Sequence, residues 1–199
     1  AFMAVTTFFQ ADGADARMQL LLALACVWGL RLGLYILWRW RSHGPDRRYV
    51  KMLSRAQETK GWSFPVASWR LVFMFQAPIL WVVSMPVQLG QLSATPAAIG
   101  TLGWIGAGLV VFGILFESLA DFQLVRFKAN KANEGKVLDA GLWRYTRHPN
   151  YFGDLCVWFG LWAIAAETGL IGVASIVGPL LLLLVFVEYS GGPAYEKRL

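Results

Sequence analysis

Charge is scarce in this sequence, and so are histidine and cysteine. Of 199 residues only 15% are charged, with two histidines and two cysteines. An ordinary soluble domain is about 25% charged and about 45–50% apolar. Here 57% of residues are hydrophobic, with 10 Trp and 13 Phe, and mean hydropathy is +0.50. That combination excludes a soluble globular domain. Cys26 and Cys156 both lie inside apolar runs, so they read as buried, inert thiols and say little about redox compartment. His148 has no second histidine or carboxylate at ligand spacing, which leaves no metal site in the sequence. No Gly-x-Gly-x-x-Gly occurs, so a Rossmann domain is not available to hold a dinucleotide. Internal repeats and low-complexity linkers are absent as well. Ala1–Phe9 lacks the basic start and small-residue cleavage site of a signal peptide. It reads as the tail of an earlier span, so an upstream portion is expected.

What is present in abundance is long apolar runs. Several approach or exceed the ~20 residues that a bilayer-spanning helix requires. They predict an all-α, polytopic membrane bundle forming one domain over 1–199. Its five complete spans run at about 18–40, 69–89, 97–122, 150–166 and 170–189. Pro78 and Pro86 should kink the second span. The stretch 42–68 between the first two spans reads as a long polar segment, broken at His43-Gly44-Pro45.

The net charge of +6 is distributed as a membrane protein's, beside the spans, and not as a nucleic-acid footprint. Seven Lys and Arg lie in 39–60, six in 126–147 and two at 197–198. The opposite side has Arg17 with Asp12, Asp15 and Glu167. The positive-inside bias therefore places both basic loops, their polar cap and the C-terminus in the cytoplasm.

Polar residues that cannot be explained as loops point to a site. Arg31 lies more than two turns inside the first span, where a charge costs at least ~2.5–3.5 kcal/mol. It must either snorkel to the interface or face a cavity or a carboxylate. Tyr35 shares its helical face at i+4. Glu117 and Asp121 repel each other at the same spacing, and both oppose the helix dipole. Cations must answer them, in a structural cluster or a binding site; Arg126, Lys128, Arg144 and Arg147 are the candidates nearby in sequence. The stretch 141–154, Gly-Leu-Trp-Arg-Tyr-Thr-Arg-His-Pro-Asn-Tyr-Phe-Gly-Asp, concentrates polar groups against an apolar run. Pro149 and Asn150 read as a helix start with Asn150 as the cap. Free N–H groups beside Arg144, Arg147 and His148 would make an anion site, most naturally for phosphate. For His148 itself a structural hydrogen bond is the simpler reading. Asp154 lies one turn past Asn150, on the same face.

The 141–154 run closely resembles the C-terminal domain of the steroid 5-alpha-reductase family, particularly bacterial members. The resemblance extends through Phe116-Glu-Ser-Leu-Ala-Asp-Phe-Gln-Leu-Val-Arg-Phe-Lys128 and Trp28-Gly-Leu-Arg-Leu-Gly-Leu-Tyr35, and covers nearly the whole chain. Its Arg-His-Pro-x-Tyr core is shared with sterol reductases and with isoprenylcysteine carboxyl methyltransferases. What the resemblance implies is a bacterial inner-membrane reductase that binds NADPH from the cytoplasm. It would pass a hydride to an activated C=C bond of a lipophilic, steroid- or isoprenoid-like substrate. Arg31 and Tyr35 match polar residues near the nicotinamide, the catalytic end. Asp121, Lys128, Tyr145, Arg147, Asn150 and Asp154 match or approximate cofactor contacts. Glu117, Arg144, His148 and Tyr151 join them from the surrounding motifs.

Two positions depart from the family. Trp28 stands near the place of a tyrosine that polarises the substrate carbonyl, and an indole is a poor proton source. Glu188 stands where a basic residue is usual. Two other readings therefore remain open. One is an S-adenosylmethionine-dependent methyltransferase, for which Glu188 and Glu196 are a weak match to an acidic C-terminal pair. The other is a silent accessory subunit whose aromatic helix faces pack in a larger membrane complex.

Overall fold

A computed structural model describes residues 1–11, 16–93 and 95–190. Asp12, Asp15, Glu196, Lys197 and Arg198, used in the topology and family arguments, lie outside the described residues. Those described form helices and connecting turns, with no strand among them. In order these are α1 (Phe2–Gln10), α2 (Ala16–His43), α3 (Arg47–Lys60), α4 (Phe64–Ser68), α5 (Met74–Val83), α6 (Met85–Gly90), α7 (Thr101–Ala129), α8 (Pro149–Ala166), α9 (Leu170–Ala174) and α10 (Val177–Ser190). Four helical stretches are long and apolar enough to cross a membrane: Ala16–His43, Phe64–Val83, Thr101–Ala129 and Leu170–Glu188. The chain is a polytopic helical membrane bundle.

Besides α7, which runs from Thr101 to Ala129 where 97–122 was expected, three details differ from the sequence-based expectation. The fourth, α8, is not among the four stretches long and apolar enough to cross a membrane, and its first turns carry Asn150 and Asp154. It is instead the central helix, with ten of its 18 residues buried. The second span begins at Phe64 and ends at Val83, not at 89. Pro78 is accommodated within α5, preceded by a π-helical turn at Trp69–Phe73, whereas Ser84 interrupts the helix ahead of Pro86. Pro86 lacks the N–H that would continue the ladder, and its ring crowds the preceding turn. The third difference is α3, a helix inside the stretch read as polar. Asp46 caps it by accepting the Arg48 N–H at 2.9 Å, and Gly61 closes it in the left-handed conformation at φ 62°. Leu53 and Ala56 bury against Ala67, with Trp62, Leu71 and Val72 around them.

The packing that builds the site is the α7–α8 pair. Gly106 and Gly113 on α7 face Gly160 and Gly153 on α8, each pair seven residues apart and so on one helical face. A Cβ at Gly106 would stand 2.6 Å from the Gly160 carbonyl oxygen, closer than real Cβ atoms come. The two backbones therefore touch, as glycine permits between membrane helices. The antiparallel register sets Glu117 directly over Gly153.

At the far end of the bundle, isolated charges are used structurally. Arg17 is fully buried and donates to the carbonyls of Thr95, Pro96 and Ala98. Glu167 accepts the Gly100 and Gly103 N–H groups at 2.9 and 2.8 Å, capping the start of α7 from the end of α8. The basic residues of α2, α3 and α7 gather at the other end, where Arg39 meets Asp46 and the end of α7 faces the end of α2.

Candidate functional site

Arg31 is the centre of a buried polar cluster between α2, α7 and α8. Its guanidinium pairs with Glu117 through Nη2 and with Asp121 through Nη1, the latter at 2.8 Å. Both carboxylates are buried, at 5% and 6% exposure. The like charges one turn apart on α7 are thus answered by a cation from α2, 90 residues away in the chain. The basic residues near them in sequence do not perform that role. A guanidinium suits it, since its fork reaches two carboxylates at once. Arg31 does not snorkel.

Asp154 joins from α8 and interacts electrostatically with Glu117 and Arg31. Three oxygens in this region have neither solvent nor a hydrogen-bond donor: Glu117 Oε2, Asn150 Oδ1 and Asp154 Oδ1. The Trp28 indole N–H interacts with the Glu117 and Asp154 carboxylates without the alignment of a hydrogen bond to either. Trp28 is held edge-on against Trp158 at 5.1 Å between ring centres. Buried acceptors without donors are rare in folded proteins, because each forfeits its hydration for nothing. The same cluster holds buried donors without a hydrogen-bonded acceptor, Trp28 Nε1 and Arg31 Nε and Nη2, so donors and acceptors stand side by side in it.

Tyr35 links this cluster to an open cleft. It interacts with Asp121 and Arg31 on one side and stacks on Trp38 at 6.2 Å. It also lines a cleft of about 330 Å³ with Arg39, His43, Asp46 and Lys128. A second cleft, of about 420 Å³, shares Lys128 and continues past Lys131 and Lys136. The cluster is rich in acid and the mouth in base. Asp46 is fixed at the rim by Arg48, with Oδ2–Nη2 at 3.0 Å, and by Arg39 at 3.8 Å. The hydrogen bonds from the Arg48 side chain and backbone hold its carboxyl down at about 2.

The 141–154 stretch is pinned to α7 by two contacts. Leu142 N–H donates to Gln123 Oε1 at 2.9 Å, and Trp143 Nε1 donates to the Ala120 carbonyl at 3.0 Å. Gly141, at φ 62°, makes the turn that lets the short helical turn 141–144 dock there. His148, not Asn150, occupies the cap position of α8, without a capping side-chain bond. Pro149 takes the first turn, where its missing N–H costs nothing. The His148 ring stacks on Tyr151 at 4.7 Å, and Tyr151 stacks on Phe186 at 4.3 Å. Both are thereby committed to packing at the start of α8.

The expected site residues therefore divide into two groups. Arg31, Glu117, Asp121 and Asp154 come together, Glu117 and Asp121 buried and the other two half-buried, with Asn150 one turn before Asp154 on α8 and Tyr35 and Lys128 on the way out. Arg144, Tyr145 and Arg147 lie on the exposed surface, Tyr145 at 85% exposure, and form no ion pair among the described residues. Glu188 is also exposed. Arg39 and Asp46 are cleft residues that the motifs did not reveal. For Arg39 a signal existed, because residues 31, 35 and 39 repeat at four-residue spacing down one face of α2. Among the described residues no group of three metal-ligating side chains converges.

A Dictyostelium discoideum protein-S-isoprenylcysteine O-methyltransferase is 32% identical over 83 residues, covering 39% of this chain and 33% of its own length. An uncharacterised Schizosaccharomyces pombe protein is 26% identical over 193 residues, covering 80% of this chain and 55% of its own length. The chain thus spans about half the length of one curated relative and a third of the other. No solved structure matches it. The family model that matches, over residues 1–199, is described as a protein of unknown function, DUF1295, and the chain belongs to that family.

Proposed function

We propose that the chain is an integral membrane reductase of the steroid 5-alpha-reductase type. It would use NADPH to reduce an activated C=C bond in a lipophilic, steroid- or isoprenoid-like substrate. The observation that carries this reading is the polarity gradient from the acidic cluster of α7 and α8 to the basic mouth. A nicotinamide dinucleotide is a long molecule with an amide donor at one end and phosphates further along. Its carboxamide N–H groups would turn toward Glu117, Asn150 and Asp154, and its phosphates would meet Arg39, Lys128, Lys131 and Lys136 at the mouth. The exposed Arg144 and Arg147 stand free to meet the 2′-phosphate.

When bound, NADPH supplies a hydride to the substrate's electron-poor carbon. The chain's own residues do the rest. Glu117 and Asp121 lock Arg31, so Arg31 acts as a positioning residue that keeps the two α7 carboxylates in place. Tyr35 Oη, at the boundary between cluster and cleft, is the donor available to a substrate carbonyl. The tight α7–α8 contact and the Trp28–Trp158 pair would keep water out of the deep end. The lipophilic part of the substrate would arrive from the bilayer, and the basic end would face the cytoplasm of a bacterial inner membrane.

A second reading is favoured by one comparison, the similarity to an isoprenylcysteine methyltransferase. S-adenosylmethionine is cationic and has no phosphate. It would use the acidic cluster but leave the basic mouth without a role. A silent accessory subunit fits less well, since packing alone gives no role to a basic cleft opening beside the acidic cluster.

The test is to compare NADPH and NADH binding in the wild type and in Arg147→Ala and Lys128→Ala. The reading expects NADPH to bind more tightly than NADH. Arg147→Ala should weaken NADPH by about tenfold, roughly one phosphate contact, and leave NADH little changed, whereas Lys128→Ala should weaken both. Equal affinities for NADPH and NADH, unaffected by either variant, would contradict it.

A further inference from the structure

The reductase reading gives the basic residues of α3 no role. Arg47, Arg48, Lys51 and Arg55 share one side of that helix, while Tyr49, Leu53 and Ala56 recur on the other at four- and three-residue spacing. The second side is occupied. Leu53 and Ala56 are buried against Ala67, with Leu71 and Val72 beside them, and the Gln76 amide donates to Tyr49 Oη at 2.9 Å. Ala67, Leu71, Val72 and Gln76 all belong to Phe64–Val83, a stretch long and apolar enough to cross the membrane. Helix α3 is thus clamped along a membrane helix with its basic side outward, and all four cations there are exposed. Asp46 takes Arg48, but Arg47, Lys51 and Arg55 form no ion pair among the described residues.

A charge run on a helix is ordinarily a solvated face, and two observations set this one against lipid. The links from α3 to the membrane stretches before and after it, 44–46 and 61–63, are three residues each. Fully extended, such a link reaches about 14 Å, so the cations stay within one or two screening lengths of the headgroups, ~8–10 Å each. The same edge also carries aromatic residues. Lys60 Nζ and the Arg70 guanidinium lie 4.5 and 4.9 Å from the Trp62 ring centre, and Phe64 and Trp69 are 58% and 60% exposed. Cations beside tryptophan are what the boundary between headgroups and hydrocarbon favours.

We propose that α3 is a docking face for the anionic phospholipid headgroups of the bilayer the chain spans. Arg47, Lys51 and Arg55 meet the headgroups, and Trp62, Phe64 and Trp69 seat the adjoining turn at headgroup depth. Complementary charge carries the choice of occupant: 47–60 has five basic residues against Glu58 alone. Asp46, which caps α3, also lines the cleft, so the lipid-held helix forms part of the cleft's rim. The inference goes beyond the reductase reading and holds whichever cofactor the cleft takes.

The full chain is placed in nanodiscs of phosphatidylcholine alone and of equal parts phosphatidylcholine and phosphatidylglycerol, and amide exchange is followed over 47–60. Exchange should be slower in the anionic discs by about fivefold or more, the effect of a single cation near such a surface. Raised salt should reverse the slowing, and the triple variant Arg47→Gln, Lys51→Gln, Arg55→Gln should abolish it. Lys51→Gln alone gives a second, smaller change if the triple variant misfolds. Phosphatidylglycerol that stays with the protein on release into detergent, counted by native mass spectrometry, should fall in the same variants. Equal exchange in the two discs would overturn the inference, as would slowing that survives both variants. The same slowing by inorganic phosphate in detergent would overturn it too, by making α3 a site for a soluble anion. Loss of NADPH binding in the cleft would leave all of these outcomes unchanged.

Discussion

Gly113 on α7 and Gly153 on α8 meet backbone to backbone: a Cβ added at Gly113 would lie 2.5 Å from the Gly153 carbonyl oxygen. The obstacle is main chain, which cannot swing aside as a flexible side chain does. Gly113→Ala should therefore lower stability by about 1–3 kcal/mol, the usual cost of overpacking, and disturb the adjacent Glu117. Gly108, on the same helix, has nothing within 4 Å of the corresponding position. Gly108→Ala should stabilise by roughly 0.5–1 kcal/mol through helix propensity alone. Thermal unfolding in detergent distinguishes the two, and equal effects would refute the close contact.

Removing Arg31 leaves two buried carboxylates without their cation. Arg31→Ala should cost about 3–5 kcal/mol, as breaking a buried pair does. The triple variant Arg31→Met, Glu117→Gln, Asp121→Asn should recover much of that loss, since no uncompensated charge remains. An Arg31→Ala protein as stable as wild type would mean that the guanidinium does not sit between these carboxylates.

Glu167 should matter for stability at the end opposite the site. Its carboxylate serves two of the free N–H groups at the start of α7. Glu167→Ala should cost about 0.5–2 kcal/mol, the range for losing a helix cap. Amide exchange should accelerate at residues 100–104 and not at 117–121. Uniform acceleration along α7 would argue for a different role.

Asp46 supplies a pH dependence outside the membrane. Its hydrogen bonds from Arg48 lower its folded value to about 2, against about 3.9 in an unfolded chain. Its contribution is thus complete above about pH 4 and is lost as pH falls through about 2. Protection of the amides at the start of α3 should follow that course in the wild type. In Asp46→Ala that protection should be weaker and flat across the same interval. A wild-type profile already flat there would remove Asp46 as the cap.

The helical membrane architecture was legible because apolar runs of ~20 residues have few other uses in a chain this poor in charge. Arg31 was also legible as a residue needing a partner, since its depth alone demanded one. The identity of that partner was not, because nothing local links residue 31 to residues 117 and 121. The basic residues close in sequence to Glu117 were the natural candidates, yet α7 carries their end of the chain out to the cleft. Helix α3 was obscured by its own polarity: five basic residues on 47–60 mask the short apolar face of Leu53 and Ala56. The central position of α8 was hidden for the same reason. Asn150 and Asp154 lower its hydropathy while Gly153 and Gly160 secure it against α7. The 141–154 motif read as one site, but the fold divides it. Asn150 and Asp154 go to the buried cluster, while Arg144, Tyr145 and Arg147 go to the surface.

The most direct test of the central claim is a side-by-side titration of the purified full chain in detergent with NADPH, NADH and S-adenosylmethionine. NADPH should bind saturably and at least about tenfold more tightly than NADH, with S-adenosylmethionine weaker than either. Tight binding of S-adenosylmethionine with no response to NADPH would contradict it and assign the acidic cluster to methyl transfer.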